Sequence, residues 1–286
     1  MAGSASRCIR TVVLCLLFGT QTLAAQDTTA NGRTQIPRDT AHADRHTLFT
    51  TRDAALAAGF VGLTFAMFPV DRHFAELIQK EDIQGNKGID QFARNVERIA
   101  APGAFIIGGS MYLLGRSSSH RDIADLGWHG VEAVLLATSI TTVLKGTLGR
   151  ARPYATSDTN SRDFKLWGGF GNDQRQSFPS GHSTTAFAVA AAVTSEVRRT
   201  MPQRLWMIAP VMYGGASLVG VSRMYHNNHW ASDVVLGAAI GTFSGLKVVR
   251  YSHAHPDNRL DRMILGASIV PDAHGGGTLA FNIPVP

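Results

Sequence analysis

Six apolar stretches, each bounded by charge or by Gly and Pro, divide the chain: residues 54–70, 99–115, 133–144, 183–195, 205–221 and 234–246. Their Ala, Leu and Gly content predicts helices that pack closely, and the pattern predicts an all-α, six-helix bundle. Three of the stretches are only 12 or 13 residues long. A bilayer span needs about 20 residues. Length alone therefore leaves two readings open: spans whose ends are polar, or buried helices of a soluble bundle. Residues 26–50 are rich in Thr, Asp, Arg and His, show no apolar period and read as a disordered leader. Past the helical region, 51–252, the tail 253–286 changes character. Two β-tolerant apolar runs, 265–270 and 278–285, flank a Gly-rich turn, which reads as a short β-hairpin.

The first 25 residues read as a signal peptide. Arg7 and Arg10 precede a short apolar core from Thr11 to Gly19, and Leu23-Ala24-Ala25 offers a small-residue cleavage site. A retained membrane anchor is the competing reading. Both cysteines, Cys8 and Cys15, fall inside this segment, so a mature chain offers no thiol for a disulfide, a zinc cluster or a nucleophile. Charged residues make up 17% of the chain, below the roughly 25% of an average soluble domain, and this favours a membrane setting. Removing residues 1–25 takes away two arginines and no acid, so the surplus falls from +6 to +4. That surplus suits anionic substrates or lipid head groups and is too scattered to indicate nucleic acid.

Three clusters lie where an apolar stretch begins or ends. In the first, Lys145 and Arg152 are seven positions apart, which a continuing helix would bring to one face. Gly146, Gly149 and Pro153 predict that this helix frays. Two lasting positive charges suit a phosphate dianion, and a basic helix end complementing its dipole is the plain alternative. In the second, Pro179-Ser180-Gly181-His182 opens a helical run. Ser180 is a natural N-cap, Gly181 admits close approach of a ligand, and the helix-start amides suit an anion. His182 stands at the rim, where a group titrating near neutrality can donate a proton. A capped helix with an incidental histidine is the alternative. In the third, Ser222-Arg223 precedes His229 and Asp233, whose i, i+4 spacing predicts a carboxylate beside the imidazole on one helix face. A structural His–Asp pair is again the alternative.

Taken together, Lys-x6-Arg-Pro, Pro-Ser-Gly-His and Ser-Arg-x5-His-x3-Asp, in this order, resemble the three motifs of the type 2 phosphatidic acid phosphatase superfamily. The resemblance covers roughly residues 127–249. It implies that Lys145, Arg152 and Arg223 bind phosphate oxygens, with Ser180 and Gly181 adding polar contacts. It implies that His229 attacks phosphorus, that Asp233 orients it, and that His182 serves as acid and then as base. It implies no metal and no cofactor, because three cations and helix amides neutralise the phosphate. His226 and His229 are three apart, but no carboxylate is placed with them in the sequence, so they do not read as metal ligands.

The resemblance implies a phosphatase of monoesters or pyrophosphates acting on a phosphorylated lipid at a membrane. Two alternatives stay open: a soluble periplasmic acid phosphatase of small esters, and a vanadium-dependent haloperoxidase, since vanadate mimics phosphate. The linker 154–178, with Arg162, Lys165, Trp167 and Phe170, reads equally as a lid over the site or as a solvated loop. Topology is in conflict. Six spans after a cleaved signal would turn the third motif inward, whereas an export signal and the resemblance imply an outward-facing site in the cell envelope.

Overall fold

The computed structural model describes residues 49–100, 102–118, 120–157, 159–255, 268–271 and 277–280. The expected signal peptide and all of the expected leader except Phe49 and Thr50 lie outside these residues. Thr50 belongs to the helical body. Its hydroxyl accepts from the Asp53 amide at 3.3 Å while Asp53 Oδ2 accepts from the Thr50 amide at 2.7 Å, and this reciprocal cap starts α1 (Thr51–Met67).

Each of the six apolar stretches lies in or runs into a helix. These are α1, α5 (Pro102–Ser117), α6 (Arg121–Leu148), α7 (Gly181–Thr200), α8 (Leu205–Tyr225) and α9 (Ala231–Ala254). The sequence missed three helices between the first two stretches: α2 (Asp71–Ile78), α3 (Glu81–Gln84) and α4 (Lys87–Ala100). Their polar residues conceal them from a search for apolar runs. In α4 the apolar positions Ile89, Phe92, Ala93 and Val96 recur at helical spacing among charges. Pro102 opens α5, where its missing N–H costs no hydrogen bond.

The short stretches belong to long helices. The apolar core of α6 extends over polar flanks to 28 residues, that of α7 to 20 and that of α9 to 24. Four segments are long and apolar enough to cross a membrane: Thr51–Ile78, Arg121–Leu148, Pro202–Tyr225 and Ala231–Ala254. Large apolar side chains on their outer faces are exposed, among them Phe65 at 69% and Val211 at 68%, a surface that suits hydrocarbon better than water.

The centre is built from small residues. Ala133 and Ala137 of α6 meet Ala188 and Ala192 of α7 and Val249 of α9. Gly237, Gly241 and Gly245 form one stripe of α9 that lies directly on the backbone of α7. A Cβ at Gly241 would stand 2.2 Å from the Thr184 carbonyl oxygen, so only glycine permits this approach. The contact starts at Ser180, so the N-terminal ends of the two helices are held side by side. In the tail, β1 (Ser268–Pro271) pairs antiparallel with β2 (Gly277–Ala280), the hairpin expected from the sequence.

Candidate active site

The site forms at the end of the bundle where α6 and α8 finish and α7 and α9 begin. His229 precedes α9 and is buried at 4% exposure. Its Nδ1 lies 2.7 Å from the Ser177 carbonyl oxygen. A carbonyl only accepts, so Nδ1 carries the proton and Nε2 keeps its lone pair. Asp233 Oδ2 stands farther off, 3.5 Å from the same Nδ1. The expected arrangement, both residues on one helix face, is not found. Trp230 has extended backbone and the helix starts only at Ala231, so the imidazole sits ahead of it.

Asp233 is completely buried and fully engaged. Oδ2 accepts from the Trp230 amide at 2.8 Å, capping α9, and from the Ser177 hydroxyl, while Oδ1 accepts from Arg150. The backbone of Ser177 and its side chain thus hold the two residues of the pair separately.

Ser180 caps α7. Its hydroxyl accepts from the Ser183 hydroxyl at 2.9 Å, and its amide donates to the Asp233 carbonyl at 2.9 Å, which ties the starts of α7 and α9 together. The hydroxyl is fully buried and taken up by the cap. Gly181 lies against Lys145, whose Cε would be 3.7 Å from an added Cβ. His182 follows, partly buried.

Lys145 and Arg152 converge by a different route from the one the spacing suggested. The helix α6 stops at Leu148, and Gly149 takes a left-handed conformation, φ 55°. A Cβ there would meet the Lys165 carbonyl oxygen at 2.1 Å. The chain then runs extended, with Arg150 bridged antiparallel to Phe164. The linker 154–178 folds back on the helix end. The Trp167 amide donates to the Thr147 carbonyl at 2.7 Å, and the Phe170 ring occupies the space that Gly146 leaves. Lys145 donates to the Gln176 carbonyl, and Arg152 donates to Asp173 at 2.7 Å and to Asn228 at 3.0 Å. Arg223, in the last turn of α8, donates to Glu97 at 2.7 Å. Its Nε is buried without a partner among the described residues, a donor awaiting an acceptor.

Burial pushes the His229 imidazole down to about 3, opposed by Asp233 and reinforced by Lys145 and Arg223. Burial likewise pushes His182 down to about 4, with Arg223, Lys145 and Arg152 all contributing against the opposing Glu97. Lys145 and Arg223 act on both histidines, so residues of all three sequence clusters lie within electrostatic reach of one another.

Sequence reasoning missed four residues here. Arg150 is fully buried, donates to Asp71 and Ser232 at 2.7 Å each and to Asp233, and lies 4.7 Å from the Phe68 ring centre. Asp71 opens α2 and also accepts from the Ser232 amide at 2.8 Å. Glu97 bridges Arg223 and His226, whose Nδ1 is 2.8 Å away. Ser177 aligns His229. Arg150 lay visible between Gly149 and Arg152, but no local spacing links it to a carboxylate 79 positions earlier.

Residues 127–257 match the PAP2 superfamily. A lipid A 1-phosphatase of Rhizobium etli is 30% identical over 173 residues, 58% of this chain and 70% of that protein. A lipid A 1-phosphatase of Porphyromonas gingivalis is 45% identical over 69 residues, 24% of this chain, and the match spans only 15% of its length. The crystal structure of a transmembrane PAP2-type phosphatidylglycerolphosphate phosphatase from Bacillus subtilis superposes with a TM-score of 0.53 at 19% identity. It covers 71% of this chain and 97% of its own, and it shows the shared fold.

Proposed function

This chain belongs to the PAP2 superfamily, and from that premise we propose that it is a membrane phosphatase of the cell envelope. In this reading it removes phosphate from a lipid through a phosphohistidine on His229. The observation that carries the reading is the His229 ring. Its Nδ1 is committed to the Ser177 carbonyl, so Nε2 is the free, unprotonated atom, among the cations Lys145 and Arg223.

Nε2 attacks phosphorus as the P–O bond to the leaving group breaks, and Lys145, Arg152 and Arg223 neutralise the three equatorial oxygens. The partnerless Arg223 Nε and the Gly181 amide at the start of α7 supply further donors. His182 protonates the leaving oxygen. Burial first and the three facing cations next hold the His182 imidazole down to about 4; a bound phosphate dianion offsets the cations and favours the proton that His182 must donate. Water then attacks the phosphohistidine while His182 accepts its proton, and phosphate leaves. Asp233 keeps the start of α9, and hence His229, in place. Four apolar segments long enough to cross a membrane and the Rhizobium etli relative support a lipid substrate, with lipid A as the first candidate. An outward-facing site fits that substrate.

The test is phosphate trapped on the protein after rapid quenching with an activated aryl phosphate. His229→Ala should form no acid-labile, base-stable adduct. His182→Ala should accumulate it, because a good leaving group needs little protonation while the water lacks its base. An adduct on His229→Ala but none on His182→Ala reverses the two roles. A panel of lipid A, isoprenyl pyrophosphate and aryl phosphate then ranks the substrates.

A further inference from the structure

At the opposite end of the bundle, the start of α1 and the ends of α7 and α9 enclose a cavity of about 500 Å³. Arg52, Arg198, Arg199, Lys247 and Arg250 line it. Asp53 is the one acid among the described lining residues. It already accepts from Lys247 and, at 3.1 Å, from Arg250. Lys247 and Asp53 are buried together, whereas Arg52, Arg198, Arg199 and Arg250 are exposed around them. Crowded like charges repel, and an anion of matching shape relieves that cost.

The position selects the kind of anion. Thr51 and Ala254 are the outer ends of two of the four segments able to cross a membrane, so the cavity lies where those segments leave the hydrocarbon. Its wall carries the buried Val249 and the half-buried Leu246, Leu56 lies exposed at its edge, and its rim is arginine. An apolar floor under a cationic rim fits a molecule that carries a phosphate at the head and hydrocarbon beneath. The catalytic histidines are remote. Asp233 and Arg250 are seventeen residues apart on α9, about 26 Å along its axis.

We infer that this cavity is a second anionic site, separate from the catalytic one, that holds the phosphate head group of an anionic phospholipid of the surrounding membrane. It does not depend on the catalytic reading.

The experiment places the full chain in phosphatidylcholine nanodiscs and adds either phosphatidylglycerol, a phosphodiester, or inorganic phosphate. Thermal unfolding and lipid retained in native mass spectra are recorded. Phosphatidylglycerol should raise the unfolding midpoint saturably in the wild-type protein. Arg198→Gln with Arg250→Gln should remove most of that rise and of the retained lipid, while turnover of a soluble aryl phosphate stays within about twofold. Arg199→Gln alone, on the rim, should weaken retention and serves if the double variant does not fold. Equal stabilisation of wild type and variants overturns the site. A rise produced by inorganic phosphate alone, with the same dependence on Arg198 and Arg250, overturns the lipid as its occupant.

Discussion

The two ends of the bundle use the same charged residue types to opposite effect. At the catalytic end, cations and acids alternate among many elements. Arg150 alone joins α2, the linker and the start of α9, and each of its charged partners is buried with it. At the far end, Lys247 and Arg250 both donate to Asp53, the one acid among the described lining residues, with three more arginines around them. A second buried group there, Glu196, accepts from His129 at 2.6 Å and His253 at 2.9 Å, clamping three helices. Charge count alone is a poor guide to function. Around Arg150 a neutralised network fixes geometry, while Lys145, Arg152 and Arg223 beside it and the arginines of the far end leave positive charge for an anion.

Removing one charge at each end breaks the comparison most sharply. Arg150→Met strands Asp71 and Asp233 without their counter-ion, and breaking such a buried pair typically costs about 3–5 kcal/mol. Lys247→Met should cost clearly less, because Arg250 remains on Asp53. Denaturant unfolding in detergent measures both, and equal losses would show that the two clusters are built alike.

Next in size are the phosphate-binding cations. Arg152→Ala and Arg223→Ala should each lower turnover by about a hundredfold or more, since a preorganised donor to developing charge is worth roughly 2.7–4 kcal/mol. Near-normal turnover in either folded variant removes that residue from the site.

The most gradual effect is on pH. His182 and His229 have folded values of about 4 and about 3 against an ordinary 6.5. Between those values the unfolded chain binds more protons than the folded one, so stability is fully present above pH 6.5 and declines as pH falls toward 4. The slope approaches about 1.4 kcal/mol per pH unit for each histidine. The unfolding midpoint should therefore be lower at pH 5 than at pH 7.5, and His182→Asn should reduce the difference. A midpoint independent of pH in this range would contradict the buried neutral histidines.

Much of this was legible in the sequence because it is local. The apolar periods located the six long helices, and the three motifs located Lys145, Arg152, His182, Arg223 and His229 within a few residues of helix ends. What was not legible depends on contacts between distant positions. In the polar flank of α6, the buried His129 is matched by Glu196, 67 positions away in the chain. The meeting of Lys145 with Arg152 depends on Gly149 ending the helix and the linker turning back. Glu97 reaches Arg223 across 126 positions, from a helix whose charges disguise it.

Asp71 also carries a consequence for how the protein is made. Its partners Arg150 and Ser232 follow it by 79 and 161 residues. At about 5–20 residues per second, the ribosome delivers Ser232 roughly 8–30 s after Asp71. Until Arg150 follows, roughly 4–16 s after Asp71, an acid destined for complete burial has neither partner, and its set of contacts is complete only with Ser232. The catalytic end closes only when synthesis reaches the last helix.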